Sequence, residues 1–483
     1  MKYPKLNILA LTAAVAFSAC NSKLDLAPAD ALDNESAVTE GNARILANGL
    51  YERAQELEYY GRDFTVVNDV TGGDVKITAA NSNRFVVEFQ YIFGPLSASQ
   101  SKTWLNAYRV ANQASVMIDK LPETAITKPY KGEAHFMRAL AHFDLVRRYT
   151  RPYSQMLDKA TTANTGIPLA MKAVDNPATH KPSRATLKET YDAIISDLKA
   201  AKELAPDAGA KSEAVFRGSK DAASALLTRA YLYMGDSTKP ADPNWQNVID
   251  EATPLINKFQ LWSDANYLAN YTTNSATSED IFSLRFLQPE NRGADNFGNI
   301  YLPNDGSSTS GYGDIRLNEN FMALLDPADY RNSAVKVFSG NNYMMKWVGN
   351  GLGLTGMTNV KVLRVSEVLL NRAEAYMRKG DLQLALNDIN SLRQHRGLAA
   401  VTAADKASVR AELLKQRRLE LVGEGFAATD LFRLGGVRHI ADKDALLPQT
   451  KDIQPTDARV AFPIPQVEID ANPNIVQNPG YNK

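Results

Sequence analysis

Apolar side chains recur every three or four positions through three zones of this 483-residue chain, a period that predicts helices. The first zone covers 36–60, 98–122 and 126–150. The second covers 184–205, 218–236 and 244–258, and the third 361–379, 382–396 and 406–422. Within GEAHFMRALAHFDLVRRYT, Phe136, Leu140, Phe143 and Val146 fall at spacings of four and three, one face of a helix. Two segments share a frame of Leu-Leu, Arg-Ala, Tyr and Gly-Asp: ASALLTRAYLYMGD and EVLLNRAEAYMRKGDLQLALNDINSLR. In the second, Tyr376, Gly380 and Ala385 stand where a tetratricopeptide helix pair places its Tyr, turn Gly and packing Ala. Gly380 can take the left-handed conformation that ends a helix, and Ala385 is small enough for close helix approach. Gly235 is expected to make the same turn in the first copy, before the polar DSTKPADPN stretch lengthens the loop to Trp245.

Between 260 and 360 the helical period stops. TTNSATSED, NDGSSTSGYGD, FSGNN and GNGLGLTG are loop compositions, while DIFSLRF, AVKVF and YMMKWV read as short strands. Residues 62–96 have the same character, with NDVTGGD and GPLSASQ bracketing NRFVVEFQYIF. So much loop inside a helical frame is unusual unless the loops carry a function. The expected fold is mainly α: tetratricopeptide-like helical hairpins supporting a loop-rich irregular region with a few short strands.

The N-terminus changes the picture of where the chain works. Lys2 and Lys5 precede an apolar run from Leu6 through Phe17, about the length of a signal-peptide core and short of the ~20 residues a membrane span needs. Small residues Ser18 and Ala19 then lead to Cys20, the only cysteine. One thiol forms no internal disulfide, so the core alone must hold the fold. The expected division is a signal peptide at 1–19, a tether at 20–35, and one domain at 36–483 with loop-rich insertions at about 62–96 and 260–360. A formal charge of zero offers no basic stripe for nucleic acid and no polybasic patch for lipid headgroups.

Candidate chemistry points to binding rather than catalysis. His135 and His142 lie seven apart on a helix, about 10 Å, too far to share a metal. GNGLGLTG lacks the Lys-Ser/Thr of a phosphate cradle, and NDVTGGD, with Asp69 and Asp74, lacks the acidic count of a calcium loop. No metal, cofactor or catalytic residue is therefore expected. Glu420 and Glu424, four apart on one helix, are expected to pair structurally with Arg417 or Arg418. Sugar recognition needs flat rings against the pyranose face and planar polar groups against its hydroxyls, held on loops. The loop zones supply Arg84, Phe89 and Tyr91 in one and Tyr301 and Tyr312 in the other, with Trp347 a further candidate. Trp104 and Tyr376 read as scaffold residues.

The chain resembles the SusD/RagB family of Bacteroidetes outer-membrane lipoproteins from end to end. The likeness rests on LDLAP after Cys20, WLNAYRVANQ, GEAHFMRALAHFDLVRRY, KPSRATLKETYDAIISDL, LRVSEVLLNRAEAYMRKGD, RRLELVGEGFAATDLFRLG and FPIPQVEIDANPNIVQNPGY, in that order. Phe17 to Cys20 is similar to a bacterial lipobox, with Phe17 where Leu is usual. That likeness implies acyl chains on Cys20, including diacylglycerol on its sulfur, which together would anchor the chain firmly. The family resemblance implies tetratricopeptide-like hairpins and a surface lipoprotein that captures a nutrient, usually a glycan. It also implies a partner, a SusC-like TonB-dependent transporter, and ligand sites drawn from the two loop zones. After Glu424-Gly425 the chain departs from the family's polar, Arg, aromatic pattern with Phe426, Ala427 and Ala428. Alternatives are a peptide-binding member of the same system, a surface glycosidase and a helical adaptor for proteins.

Overall fold

The computed structural model describes residues 37–174, 176, 178–263, 267–403, 405–447 and 452–481. The expected signal segment 1–19, the lipidation site Cys20 and the 20–35 tether lie outside the described residues. The chain forms helices α1 (Ala43–Ala54), α2 (Asp63–Val70), α3 (Ala98–Lys120), α4 (Lys128–Tyr149), α5 (Leu187–Leu204) and α6 (Lys220–Met234). Helices α7 (Pro243–Lys258), α8 (Val365–Lys379), α9 (Leu382–His395), α10 (Lys406–Leu421) and α11 (Ala427–Arg433) follow. Each helix from α3 to α9 packs on the next, and α10 closes against α8 and α9. Successive neighbours thus bury one continuous core, as stacked helical repeats do.

Local chemistry explains several of these boundaries. Thr186 starts α5 with a capping box: its hydroxyl accepts from the Glu189 N–H (3.0 Å), and the Glu189 carboxylate accepts from the Thr186 N–H (2.8 Å). Gly380 ends α8 at φ 99°, and the N–H groups of Gly380 and Asp381 both return to the Tyr376 carbonyl. Gly235 behaves differently from the expectation. Its φ is −59°, open to any residue, but a Cβ there would collide with the Trp245 indole. The glycine makes room for Trp245, whose Nε1 donates to the Lys239 carbonyl at 3.0 Å.

Helix α4 is buried on far more than the one face its apolar spacing predicted, with Glu133, Arg138, His142, Asp144 and Arg148 all enclosed. Helices α3 and α5 cover two sides, and the segment around Tyr59 and Phe64 covers a third. Most of these buried groups are paired, as desolvation demands, whereas Arg148 has no carboxylate partner among the described residues and donates to the Thr103 hydroxyl (3.1 Å) and the Phe64 carbonyl (2.9 Å). Arg138 pairs bidentately with Asp197 (2.8 and 2.7 Å), and Tyr59 donates to Asp144 at 2.5 Å. His135 also contacts Asp197 through Nδ1 at 2.7 Å. His142 Nε2 accepts from the Ala170 N–H, and burial pushes its pKa down to about 4, so it is a neutral scaffold group.

The loop zones contain more order than their composition suggested. Helix α2 lies inside 62–96 with all eight of its residues buried. Six strands appear among the described residues: β1 (Val75–Lys76), β2 (Asp280–Leu284), β3 (Arg316–Leu317), β4 (Val335–Phe338), β5 (Asn341–Met344) and β6 (Val360–Arg364). DIFSLRF and AVKVF hold β2 and β4 as expected. YMMKWV joins the sheet only through Tyr343 and Met344, because Trp347 turns inward to donate to the Gly423 carbonyl at 3.1 Å. One antiparallel sheet runs β1-β3-β5-β4, its β4–β5 hairpin turning at Ser339 and Gly340 with φ 47° and 71°. The other pairs β2 with β6, both fully buried. The 260–360 region is therefore stitched into the frame at both ends.

Around the β2–β6 ladder sits a buried ionic network. Arg364 contacts Glu279 (2.6 Å), Glu420 (3.0 Å) and Glu424 (2.7 Å), while Arg396 contacts Glu279 (2.6 Å) and Glu420 (2.8 Å). Lys346 reaches Glu424 at 2.8 Å. The two glutamates are structural, as expected, but not with the expected partners: Arg417 pairs with Asp430 and Arg418 with Asp74. The expected shared helix also fails, because α10 ends at Leu421 and Glu424 lies in the turn beyond it, and both side chains point into the core, where residues distant in sequence meet them. No helix among the described residues is long and apolar enough to cross a membrane.

Candidate functional site

Two loop segments far apart in sequence meet on the surface at Arg84 and Tyr312. The Arg84 guanidinium lies 4.1 Å from the Tyr312 ring centroid, and its Nη2 donates to the Tyr312 hydroxyl at 3.2 Å. Arg84 Nη1 donates to Ser82 Oγ at 2.9 Å, and Nη2 stands 3.8 Å from the Asp295 carboxylate. Asp295 in turn accepts from Arg62 at 2.7 Å. Asp314 accepts from both the N–H (2.9 Å) and the hydroxyl of Ser82.

The backbone holds both halves tightly. Asn83, Phe85 and Tyr91 take φ of 63°, 58° and 56°, three of the six positive-φ residues other than glycine among the described residues. Such conformations persist only when surroundings enforce them. Here Phe85 lies under Arg62 (5.4 Å), and Tyr91 donates to the Thr71 carbonyl at 2.5 Å. Opposite, residues 311–315 run along 299–303: the N–H groups of Gly311, Tyr312 and Gly313 donate to the carbonyls of Pro303, Asn299 and Leu302 at 2.8, 2.7 and 2.8 Å.

Of the five ligand candidates, the structure brings Arg84 and Tyr312 together at the surface and places Phe89, Tyr91 and Tyr301 in the core. Phe89 is wholly buried beneath the Arg438 guanidinium (4.7 Å), and its carbonyl accepts from Arg438. Tyr301 is wholly buried, donating to Asp69 at 2.7 Å, and Trp347 packs against Tyr271 and Phe297. None of these rings offers a face to a solvent-borne sugar; they position the loops that carry Arg84 and Tyr312. Trp104 and Tyr376 lie in the scaffold as expected. Arg62, Asp295 and Asp314 escaped the sequence reading. Their loop setting was a signal, but their convergence was not readable across about 230 residues of chain.

The arrangement combines a planar cation, an aromatic ring and the half-exposed Asp295 carboxylate, groups suited to pair with hydroxyls and to cover a pyranose face, while Asp314 is buried and braces Ser82 from within. Among the described residues no cluster of three His, Asp or Glu side chains is placed to hold a metal.

Asp69 secures this platform from below, accepting from Tyr301 and from the Gly425 N–H (3.1 Å). Burial outweighs both hydrogen bonds and raises its carboxyl to about 7. The folded state thus binds this proton more tightly than the unfolded chain, whose Asp titrates near ~3.9. The contribution is complete below that value and is lost as the pH rises toward 7. Stability curves of wild type and Asp69→Asn from pH 4 to 7 should therefore diverge, wild type losing up to ~1.4 kcal/mol per unit relative to the variant. Parallel curves would contradict the assignment.

Comparison with known proteins agrees with this architecture. A family described as "Starch-binding associating with outer membrane" matches residues 22–232, and one described as "SusD family" matches 342–481. A crystal structure of a SusD superfamily protein from Bacteroides thetaiotaomicron is 30% identical, with a TM-score of 0.80, covering 92% of this chain and 100% of that one. A putative sugar binding protein from Bacteroides vulgatus is 26% identical with a TM-score of 0.80, covering 92% and 98%. SusD-like protein P2 of Formosa agariphila is 24% identical over 92% of this chain and 93% of its own length.

Proposed function

The chain belongs to the SusD/RagB family, a nutrient-binding, outer-membrane-associated group, and from that premise we propose that it captures an oligosaccharide and passes it to a partner TonB-dependent transporter. The observation that carries the ligand assignment is the Arg84–Tyr312 pair, assembled from two loop zones on a rigid helical frame and flanked by Asp295. A ring and a guanidinium at one shallow surface give modest affinity, which suits rapid hand-over.

Calorimetry of the soluble protein against neutral and acidic oligosaccharides tests this. Arg84→Ala and Tyr312→Ala are each expected to weaken binding about tenfold, the order of a lost stacking or charged contact, without changing the thermal midpoint. Unchanged affinity in both variants removes the site. Preference for peptides over all glycans replaces the ligand class, and release of shortened sugars makes the protein a glycosidase.

The anchor is proposed at Cys20, where several acyl chains would hold the protein at a membrane although one alone would not. Cys20→Ser should move the protein from the membrane fraction to the soluble fraction. Wild type recovered without acyl groups by mass spectrometry would refute lipidation.

A further inference from the structure

A cavity of about 720 Å³ opens beside α10 and α11, sharing no residue with the Arg84–Tyr312 surface. Its volume lies within the range of small-molecule sites. The walls are branched aliphatic, drawn from Leu324, Leu414, Leu421, Leu431, Leu434 and Val437. Among the described residues Phe426 is the only Phe, Tyr or Trp in the lining, and it is 4% exposed and lies under Arg229 at 4.8 Å. A pyranose would find no free ring to stack on here, so the walls select an aliphatic body.

The charges at this cavity do not balance. Arg417 is held by Asp430 at 2.9 Å, Arg418 by Asp74 at 2.5 Å, and His439 by Asp452 at 2.7 Å. Lys415 makes no hydrogen bond or ion pair among the described residues, and Arg410 reaches only the Leu434 carbonyl at 3.4 Å. Both belong to α10 and line the cavity, leaving two cations without a counter-ion beside an apolar volume. An anionic group completes that arrangement, while a second cation would be repelled. We propose that this cavity is a second binding site, whose ligand is an amphipathic anion: an aliphatic chain carrying a carboxylate, seated with its chain on the leucine walls and its head at Lys415 and Arg410.

The test uses the full chain carrying Cys20→Ser, so that no acyl group of its own competes, titrated with dodecanoate or dodecylammonium below their micellar concentrations. Dodecanoate is expected to bind one per chain, and dodecylammonium at least about tenfold more weakly, because the two share a tail and differ in head charge. Lys415→Glu should weaken dodecanoate by about tenfold or more while leaving the thermal midpoint in place, since Lys415 has no partner to lose. Arg84→Ala should leave dodecanoate binding unchanged, which separates this site from the sugar surface. Absence of dodecanoate binding, equal binding of the two probes, or an unaffected Lys415→Glu variant would each overturn the proposal.

Discussion

Replacing Arg364 with alanine is expected to cost about 3–5 kcal/mol of folding stability, because it strands buried carboxylates rather than removing a surface contact. Arg364 bridges all three of Glu279, Glu420 and Glu424, where Arg396 reaches the first two and Lys346 the third, and all of them are almost wholly enclosed. Burial opposes ionisation of Glu420, but Arg396 and Arg364 outweigh it and hold its carboxyl well below the usual range. For Glu424 burial is likewise overcome, by Arg364 and Lys346. Both depressed groups stabilise the wild type above the unfolded-state value near ~4.3, and that contribution is lost as the pH falls through the folded-state values. Without Arg364, burial gains the upper hand and the carboxyls rise. The deficit of the variant should then shrink as the pH drops from 7 toward 5. Urea midpoints across that range decide it: a loss below about 1 kcal/mol, or one independent of pH, would mean the network contributes little.

Gly298→Ala should cost about 3 kcal/mol and also weaken ligand binding at the proposed surface. A Cβ at this position collides with the Trp347 carbonyl oxygen and comes within 2.8 Å of Gly356 Cα. Both obstacles are backbone, so no side chain can swing aside, and the Gly298 N–H already donates to the Gly356 carbonyl at 2.8 Å. The displaced segment includes Asn299, whose carbonyl fixes the Tyr312 N–H, so the strain is delivered to the proposed ligand surface. Gly94→Ala is the control. It meets open space at an ordinary φ and should stay within about 0.5 kcal/mol of wild type. A stable Gly298→Ala variant with full affinity would disconnect this loop from the site.

The repeat frame around Gly380 and Ala385 was legible because a helical hairpin is specified by neighbours within one turn of chain. The loop zones were legible by composition, and Arg84 and Tyr312 could be singled out from within them. Phe89, Tyr91 and Tyr301 look the same on paper, since an aromatic in a loop-rich stretch carries no mark of whether it faces water or the core. The partners of Glu420 and Glu424 were misread for a related reason: local spacing describes a helix surface, and these side chains leave it.

Sequence alone therefore determined the helical frame, the two loop zones and the family, because each is written in short-range periodicity or in motifs a few residues long, and it is the sole basis of the anchor proposed at Cys20. Tertiary structure decided which rings are buried, which carboxylates share Arg364, and that Arg62, Arg84, Asp295 and Tyr312 converge in one place. Those outcomes depend on desolvation and on contacts between distant segments, and both come into being only when the chain closes on itself.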